Sequence, residues 1–161
     1  MPQPPQPGET APDFRLPSTV GEVVGSDLWA SGPVVLAFYT EDGTPACQSQ
    51  VRALAEDLPL LSEFGARVIA ISADSLESHR RFLERLGDLP YPLASDPDLT
   101  VARAYGVADE EQKRSRRAVF VIGAGGRILH TNPWFSAASP EQRLAVLEAL
   151  GGTGEQLPSA D

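Results

Sequence analysis

Two short apolar runs, VVLAFYT at 34–40 and RVIAIS at 67–72, strongly limit the folds open to this chain. The runs are short and rich in Val, Ile and aromatic residues, which is typical of strands buried on both faces of a parallel sheet. Between the runs, apolar residues recur over 51–58 at the spacing of one helix face, before Pro59, which is expected to interrupt or kink that helix. A strand, a helix and a second parallel strand form a βαβ unit, so the sequence predicts an α/β fold.

Further helices and a hairpin are predicted downstream. Helix starts are indicated at three places, Asp74 with Glu77, Asp96 with Pro97, and Ser139 with Pro140. The runs AVFVIG (118–123) and RILHTN (127–132) flank the turn AGG and predict a β-hairpin, and YPLAS (91–95) is a candidate extra strand. This order of elements predicts a thioredoxin-like fold, with a central mixed β-sheet flanked by helices on both faces.

The chain has 161 residues, the length of one domain. Its opening, MPQPPQPGE, has neither the basic region nor the apolar region of a secretory signal, so residues 1–7 are expected to be a disordered proline-rich tail and the location cytoplasmic. The folded domain is expected over 8–150, followed by a flexible C-terminal tail over 151–161. No apolar run approaches the roughly 18 residues of a membrane span.

The net charge of −9 argues against nucleic acid or an anionic membrane as a partner, because both require a positive surface. The run KRSRR, at 113–117, is a local exception, and most of it is expected to be a solvated loop. His79 and His130 are too isolated in the sequence for a metal site or a catalytic triad, so no metal is expected.

Cys47 is the only cysteine, and it lies where the first buried strand is followed by a helix start at Thr44 and Pro45. The N-terminus of a helix stabilises a thiolate, and ligands of open α/β sheets collect at the carboxyl ends of parallel strands. A lone cysteine can also be a small buried apolar residue, and Thr-Pro can be a helix start and nothing more. One cysteine forms no internal disulfide, so an oxidised Cys47 would need an external reductant.

The basic run leads directly into the strand AVFVIG, which is expected to run antiparallel to VVLAFYT. An antiparallel strand begins where its neighbour ends, so Arg117 is expected to contact Cys47. Arg116 is the fallback, because consecutive residues entering a strand point to opposite faces.

Five segments in order carry a family resemblance: GETAPDFRLPSTVGEVV (8–24), FYTEDGTPACQSQ (38–50), EFGARVIAISADSLESHRRF (63–82), YPLASDPDLTVARAYGV (91–107) and RRAVFVI (116–122). Together they resemble a peroxiredoxin, nearest the bacterioferritin-comigratory or Q-type branch. The resemblance implies that Cys47 attacks the peroxide O–O bond, that Thr44 holds the peroxide, and that Arg117 stabilises the thiolate and the transition state. It further implies a substrate-binding set, Thr40, Pro45, Ala46 and Gln50.

Three positions depart from the family pattern. Thr40 stands where the family has a proline that screens the thiolate, Gln50 replaces the usual glutamate, and Arg52 occupies the place of a second cysteine. The resemblance therefore implies a thiol-dependent peroxidase with a one-cysteine mechanism and no metal, flavin or nucleotide cofactor. Its reductant would be a thioredoxin-like protein or a low-molecular-weight thiol, and it would be a monomer or a homodimer.

Two alternatives remain open at this point. Thr40 and Gln50 motivate a catalytically weakened peroxiredoxin-fold redox sensor or binding module, which would oxidise slowly and without turnover. A thioredoxin-like disulfide reductase is disfavoured, because the sequence TPAC lacks the second cysteine that such an enzyme uses.

Overall fold

A computed structural model describes residues 3–151, so all but the first residue of the expected C-terminal tail, 151–161, lies outside the described residues. The described strands are β1 (Arg15–Ser18), β2 (Gly21–Val24), β3 (Val34–Phe38), β4 (Arg67–Ser72), β5 (Leu93–Ser95), β6 (Ala108–Asp109), β7 (Arg114–Ser115), β8 (Ala118–Ile122) and β9 (Ile128–Asn132). The described helices are α1 (Gly25–Ala30), α2 (Pro45–Glu63), α3 (Leu76–Leu86), α4 (Thr100–Ala104) and α5 (Pro140–Ala149). None of these helices has the length and apolar character needed to cross a bilayer.

Seven of the strands form one mixed sheet in the order β2-β1-β5-β4-β3-β8-β9, and β6 and β7 pair separately. The central strands β3 and β4 are parallel, while β3 and β8 are antiparallel with Phe38 opposite Ala118. The predicted βαβ unit, the β8–β9 hairpin and the extra strand β5 are confirmed. The sheet has the mixed, thioredoxin-like character that the sequence predicts.

Side chains alternate across β3, so the central sheet divides the core into two layers. Val34, Leu36 and Phe38 pack with residues of α1 and α4 on one face. Val35, Ala37 and Tyr39 pack on the other face with α2, α3 and α5, and Cys47 belongs to this second layer. The candidate site therefore lies between the sheet and α2.

Two details of the helices differ from the prediction. Of the two effects expected at Pro59, the interruption is wrong, because helix α2 continues through Pro59 to Glu63. The N-cap of α3 is Ser75, whose hydroxyl accepts from the Ser78 N–H, and not Asp74. The Asp74 carboxylate is already engaged elsewhere, because it accepts from the N–H of Asp42 and thereby ties the loop after β3 to the end of β4.

The predicted start of α5 is confirmed, and that of α4 lies further along the chain than predicted. The hydroxyl of Ser139 caps α5 by accepting from the Gln142 N–H, as predicted. The Asp96 carboxylate accepts from two backbone N–H groups in the first turn of α4, those of Val101 and Ala102, although the helix itself begins only at Thr100.

Part of the segment expected to be a disordered tail over 1–7 contacts the sheet within the described residues 3–7. Pro5 is buried, and its carbonyl accepts a hydrogen bond of 2.6 Å from the hydroxyl of Thr131 on β9. Just beyond, the N–H of Gly8 donates to the carbonyl of Ile128 at 2.9 Å. The Thr131 side chain and the Ile128 backbone thus hold this part of the chain against β9.

The turn between β8 and β9 offers a stability test. Gly126 has φ +97°, and a Cβ there would lie 2.7 Å from Nε1 of the buried Trp29. Adjacent Gly125 has φ +90° and no atom within 4 Å of a Cβ. We expect Gly126→Ala to lower the free energy of unfolding by about 2–4 kcal/mol, since it adds overpacking to backbone strain. Gly125→Ala introduces only the backbone strain, so it should lower the free energy of unfolding by about 1–2 kcal/mol.

Urea unfolding of both variants measures the difference between them. A larger loss for Gly126→Ala would identify Trp29 as the cause, because the two glycines share a positive φ and differ in what surrounds them. Equal losses would contradict the packing argument.

Candidate active site

Cys47 lies in the first turn of α2, at the carboxyl end of the parallel strand β3, as predicted. The loop before it ends at Thr44, which is the N-cap: its hydroxyl accepts the Cys47 N–H at 3.4 Å. Pro45 occupies the first helical position, where its missing N–H costs no hydrogen bond. The Cys47 side chain is fully buried in the core layer between the sheet and α2.

The Cys47 sulfur lies 2.8 Å from the hydroxyl oxygen of Thr40. Since a thiolate only accepts hydrogen bonds, the Thr40 hydroxyl is the donor once Cys47 ionises. Burial raises the pKa of Cys47, but hydrogen bonds from the Thr40 and Thr44 side chains and from the backbone of Glu41 and Thr40 lower it. The balance places the pKa of Cys47 below its ordinary value.

The remaining residues of the predicted substrate-binding set surround this first turn. Pro45 and Ala46 are exposed at the beginning of α2. Gln50 is buried one turn after Cys47, and its Nε2 donates to the Phe38 carbonyl at 3.1 Å. Its Oε1 is buried and finds no donor among residues 3–151, so Gln50 presents a free acceptor inside the protein.

Arg117 immediately precedes β8, where Ala118 pairs with Phe38. Val119, two residues on, packs in the same layer as Cys47, so the alternation of the strand places Arg117 in register with that layer. Its side chain is exposed, and within residues 3–151 no hydrogen bond or ion pair engages the guanidinium. Its carbonyl accepts from the Phe135 N–H at 3.0 Å, which fixes the backbone at this point.

The other arginines of the basic run have partners. Arg116 donates from Nη2 to the Gly106 carbonyl at 2.6 Å, and its guanidinium lies 4.3 Å from the centre of the exposed Trp134 ring. Arg114 donates to the Glu41 carboxylate at 3.0 Å and so contacts the loop that precedes Cys47. These two side chains bind neighbouring segments, which the expectation of a solvated loop did not anticipate.

Sequence reasoning missed a buried polar cluster beneath the loop. His79 is fully buried on α3, with Nδ1 2.8 Å from an Asp42 carboxylate oxygen, and the Tyr39 hydroxyl donates to the other oxygen at 2.6 Å. These residues lie 37 and 40 positions from His79 in sequence. The signal available was topological: Asp42 follows β3, and His79 lies in the helix after the adjacent parallel strand, so both reach the same sheet edge.

The cluster does not require a metal to explain it. Ligand-type atoms of Asp42, Asp74 and His79 lie within 4.8 Å of one another. The carboxylates already accept from protein donors, including the hydroxyls of Tyr39 and Ser72, and His79 bonds through both ring nitrogens. We therefore describe it as a hydrogen-bonded network.

Comparison with known proteins agrees with this geometry. The model of the AhpC/TSA family matches residues 7–131. The chain is 32% identical to a thioredoxin peroxidase of Fasciola hepatica over 156 residues, which cover 90% of this chain and 80% of the relative. It is 31% identical to the chloroplastic peroxiredoxin Q of Sedum lineare over 146 residues, which cover 89% and 78% of the two chains.

A solved structure supports the same placement. The crystal structure of peroxidoxin BcpB from Mycobacterium tuberculosis superimposes with a TM-score of 0.80 at 30% identity, covering 91% of this chain and 96% of the other. The resemblance predicted from the sequence is thereby confirmed. This chain belongs to the AhpC/TSA family, as a peroxiredoxin of the bacterioferritin-comigratory or Q-type branch.

Proposed function

We propose that this peroxiredoxin reduces hydrogen peroxide or organic hydroperoxides through Cys47 alone. The observation that carries the proposal is the setting of its sulfur. Cys47 is fully buried at a helix N-terminus, 2.8 Å from the Thr40 hydroxyl, and its pKa lies below the ordinary value. These conditions favour the thiolate, which is the nucleophilic form of cysteine.

The reaction follows from this nucleophile. The thiolate sulfur gives an electron pair to the terminal oxygen of the hydroperoxide, an S–O bond forms, and the O–O bond breaks. Cys47 is oxidised to a sulfenic acid, and the peroxide is reduced to an alkoxide or hydroxide that takes up a proton as alcohol or water. The protein accelerates this step by holding the two oxygens in line with the sulfur and by stabilising the charge that moves to the leaving oxygen.

Each site residue has a proposed role in that step. Thr44 holds the peroxide with its hydroxyl, which lies at the N-cap beside Cys47. Thr40 donates to the thiolate, a stabilisation that the proline of the family pattern has no hydroxyl to provide. Arg117 turns its unpaired guanidinium toward the leaving oxygen, and the free Oε1 of Gln50 is a buried acceptor available to a donor that enters.

The sulfenic acid requires a thiol from outside the chain, because Cys47 is the only cysteine. We propose a thioredoxin-like protein or a low-molecular-weight thiol as the reductant, consistent with the Fasciola hepatica relative being a thioredoxin peroxidase. We further propose that the protein works in the cytoplasm as a monomer or homodimer. The net charge of −9 supports neither a nucleic acid nor an anionic membrane as partner.

A second candidate is a redox sensor or binding module with weakened peroxidase activity. The full burial of the Cys47 sulfur favours it, since a large reductant needs access to that atom. This candidate predicts that peroxide oxidises each chain once and that added thiols do not restore it.

Turnover distinguishes the two candidates. We expect peroxide to add one oxygen to the intact protein. When the protein is supplied with thioredoxin and its reductase, or with dithiothreitol, we expect it to consume many equivalents of peroxide. Cys47→Ser should consume none, because its hydroxyl is not ionised at neutral pH. A single oxidation without turnover by either reductant would support the sensor, and an unmodified Cys47 would contradict both.

A further inference from the structure

Asp42 is the best-anchored residue of the loop that surrounds Cys47. It lies two residues after Thr40, and its carboxylate accepts hydrogen bonds from the Tyr39 and Ser78 hydroxyls at 2.6 and 2.8 Å. Its own N–H donates to the Asp74 carboxylate at 2.9 Å. The middle of this loop is thus tied to the segment between β4 and α3 and to α3 itself.

Asp42 also has a buried contact with His79. The side chains of His79 and Asp42 are 0% and 2% exposed, and Nδ1 lies 2.8 Å from a carboxylate oxygen. The other ring nitrogen, Nε2, lies 3.0 Å from the carbonyl oxygen of Ala94 on β5. The imidazole is thus held at both nitrogens, and it joins the loop after β3 to α3 and to β5.

Burial raises the pKa of Asp42, but hydrogen bonds from His79 and Tyr39 outweigh this effect, so the pKa lies below the ordinary value. Three other charged residues lie at this loop: Asp74 accepts from the Asp42 N–H, Arg114 reaches the neighbouring Glu41, and Arg85 Nη2 would lie 3.2 Å from a Cβ at Gly43. Replacing His79 removes a buried partner of the Asp42 carboxylate, and replacing Asp42 removes the group that His79 binds, so either change frees the loop to move.

The loop supplies the donors that stabilise the sulfur. The Thr40 hydroxyl lies 2.8 Å from it, and the backbone of Glu41 and the side chain of Thr44 also lower the pKa of Cys47. These groups lie on both sides of Asp42 in the chain. A displacement of Asp42 therefore moves the donors on both flanks relative to a sulfur that α2 holds in place.

We propose that Asp42 and His79 are positioning residues for the Cys47 thiolate. Their buried hydrogen bond fixes the loop 40–44 so that its hydrogen-bond donors point at the sulfur. This inference rests on the proposed function for its consequence in catalysis, but the state of the thiol is measurable without peroxide.

The test compares the ionisation of Cys47 in Asp42→Asn and His79→Gln with that in the wild type. Absorbance at 240 nm against pH reports the thiolate of the single cysteine. The three tyrosines do not interfere near neutral pH, because burial raises the pKa of Tyr39, Tyr91 and Tyr105. We expect each variant to raise the pKa of Cys47 and to slow its oxidation by hydrogen peroxide at pH 7 about tenfold, the effect of one misplaced charge-assisted hydrogen bond.

Arg143→Ala is the matched control for lost stability. Arg143 binds Asp57 with two hydrogen bonds of 2.6 and 2.9 Å and joins α5 to α2 away from the loop 40–44. We expect this variant to melt at a lower temperature and to keep the pKa and the oxidation rate of Cys47 within about twofold of the wild type. A comparable shift in the pKa of Cys47 in Arg143→Ala would overturn the proposal. An unchanged pKa of Cys47 in Asp42→Asn and His79→Gln would also overturn it.

Two further measurements keep the proposal decidable. If Asp42→Asn and His79→Gln fail to fold, Tyr39→Phe and Ser78→Ala each remove one hydrogen bond to Asp42. A raised pKa of Cys47 in these variants supports the positioning role, and an unchanged pKa overturns it. If the wild-type thiolate does not react with peroxide while the loop variants still shift its ionisation, the proposed function fails and the positioning role stands.

Discussion

Replacing Arg117 by alanine is expected to slow the oxidation of Cys47 by hydrogen peroxide by about 10²–10³, the usual effect of removing one preorganised donor to a developing charge. Arg117 enters β8 in register with the layer that contains Cys47, and its guanidinium is free of partners among residues 3–151. The guanidinium presents several N–H donors in a fixed plane, so it can bind both the thiolate and the leaving oxygen.

Arg116→Ala is the matched control for that prediction. Arg116 is adjacent in sequence, but its guanidinium binds the Gly106 carbonyl and stacks on Trp134. Quenched-flow sampling with mass spectrometry follows the oxidised product directly, so a changed environment of Trp134 does not affect the reading. If Arg116→Ala greatly slowed the oxidation of Cys47 and Arg117→Ala did not, the stabilising role would belong to Arg116.

Replacing Thr40 by valine is expected to raise the pKa of Cys47 and to slow its oxidation at pH 7 about tenfold. The substitution keeps the shape and removes the hydroxyl that lies 2.8 Å from the sulfur. A hydrogen bond to a charged group contributes about 1.5–3 kcal/mol to its stability, so its loss reduces the fraction of Cys47 present as thiolate. The thiolate that does form is more basic and therefore more nucleophilic, which offsets part of the loss in rate.

The oxidation rate of Thr40→Val should differ from that of the wild type at neutral pH and approach it at high pH. Because the Thr40 hydroxyl lowers the pKa of Cys47, its removal reduces the thiolate fraction at neutral pH and the deficit disappears at high pH. Thr40→Ser retains a hydroxyl and should restore most of the rate. Identical pH profiles for the wild type and Thr40→Val would show that the contact does not stabilise the thiolate.

The fold was predictable where local pattern and burial agree. Strands β3 and β4 were predicted correctly because central parallel strands are apolar on both faces. The hairpin was predicted correctly from the glycines of its turn. The start of α3 was misassigned because the carboxylate of Asp74 has a tertiary partner, the Asp42 N–H, that no local pattern contains. The contact of Pro5 with β9 was missed for the same reason.

In the candidate site, too, the features set by neighbouring residues were predicted and those set by tertiary contacts were not. The position of Cys47 at the start of α2 follows from the neighbouring Thr44 and Pro45, which are local signals. The contact between Thr40 and the sulfur depends on how the loop closes onto the helix, and that closure depends on His79. Sequence reasoning treated Thr40 as a departure from the family pattern, whereas its hydroxyl contacts the sulfur directly.

A protein that maintains Cys47 as a reactive thiolate is recognised most directly by the second-order rate of Cys47 oxidation by hydrogen peroxide as a function of pH, measured beside free cysteine. We expect this rate to rise through one ionisation and to reach a plateau, with a midpoint well below about 8.5, the ordinary pKa of a thiol. At pH 7 the rate should greatly exceed that of free cysteine. A profile that follows free cysteine in both rate and midpoint would contradict this expectation.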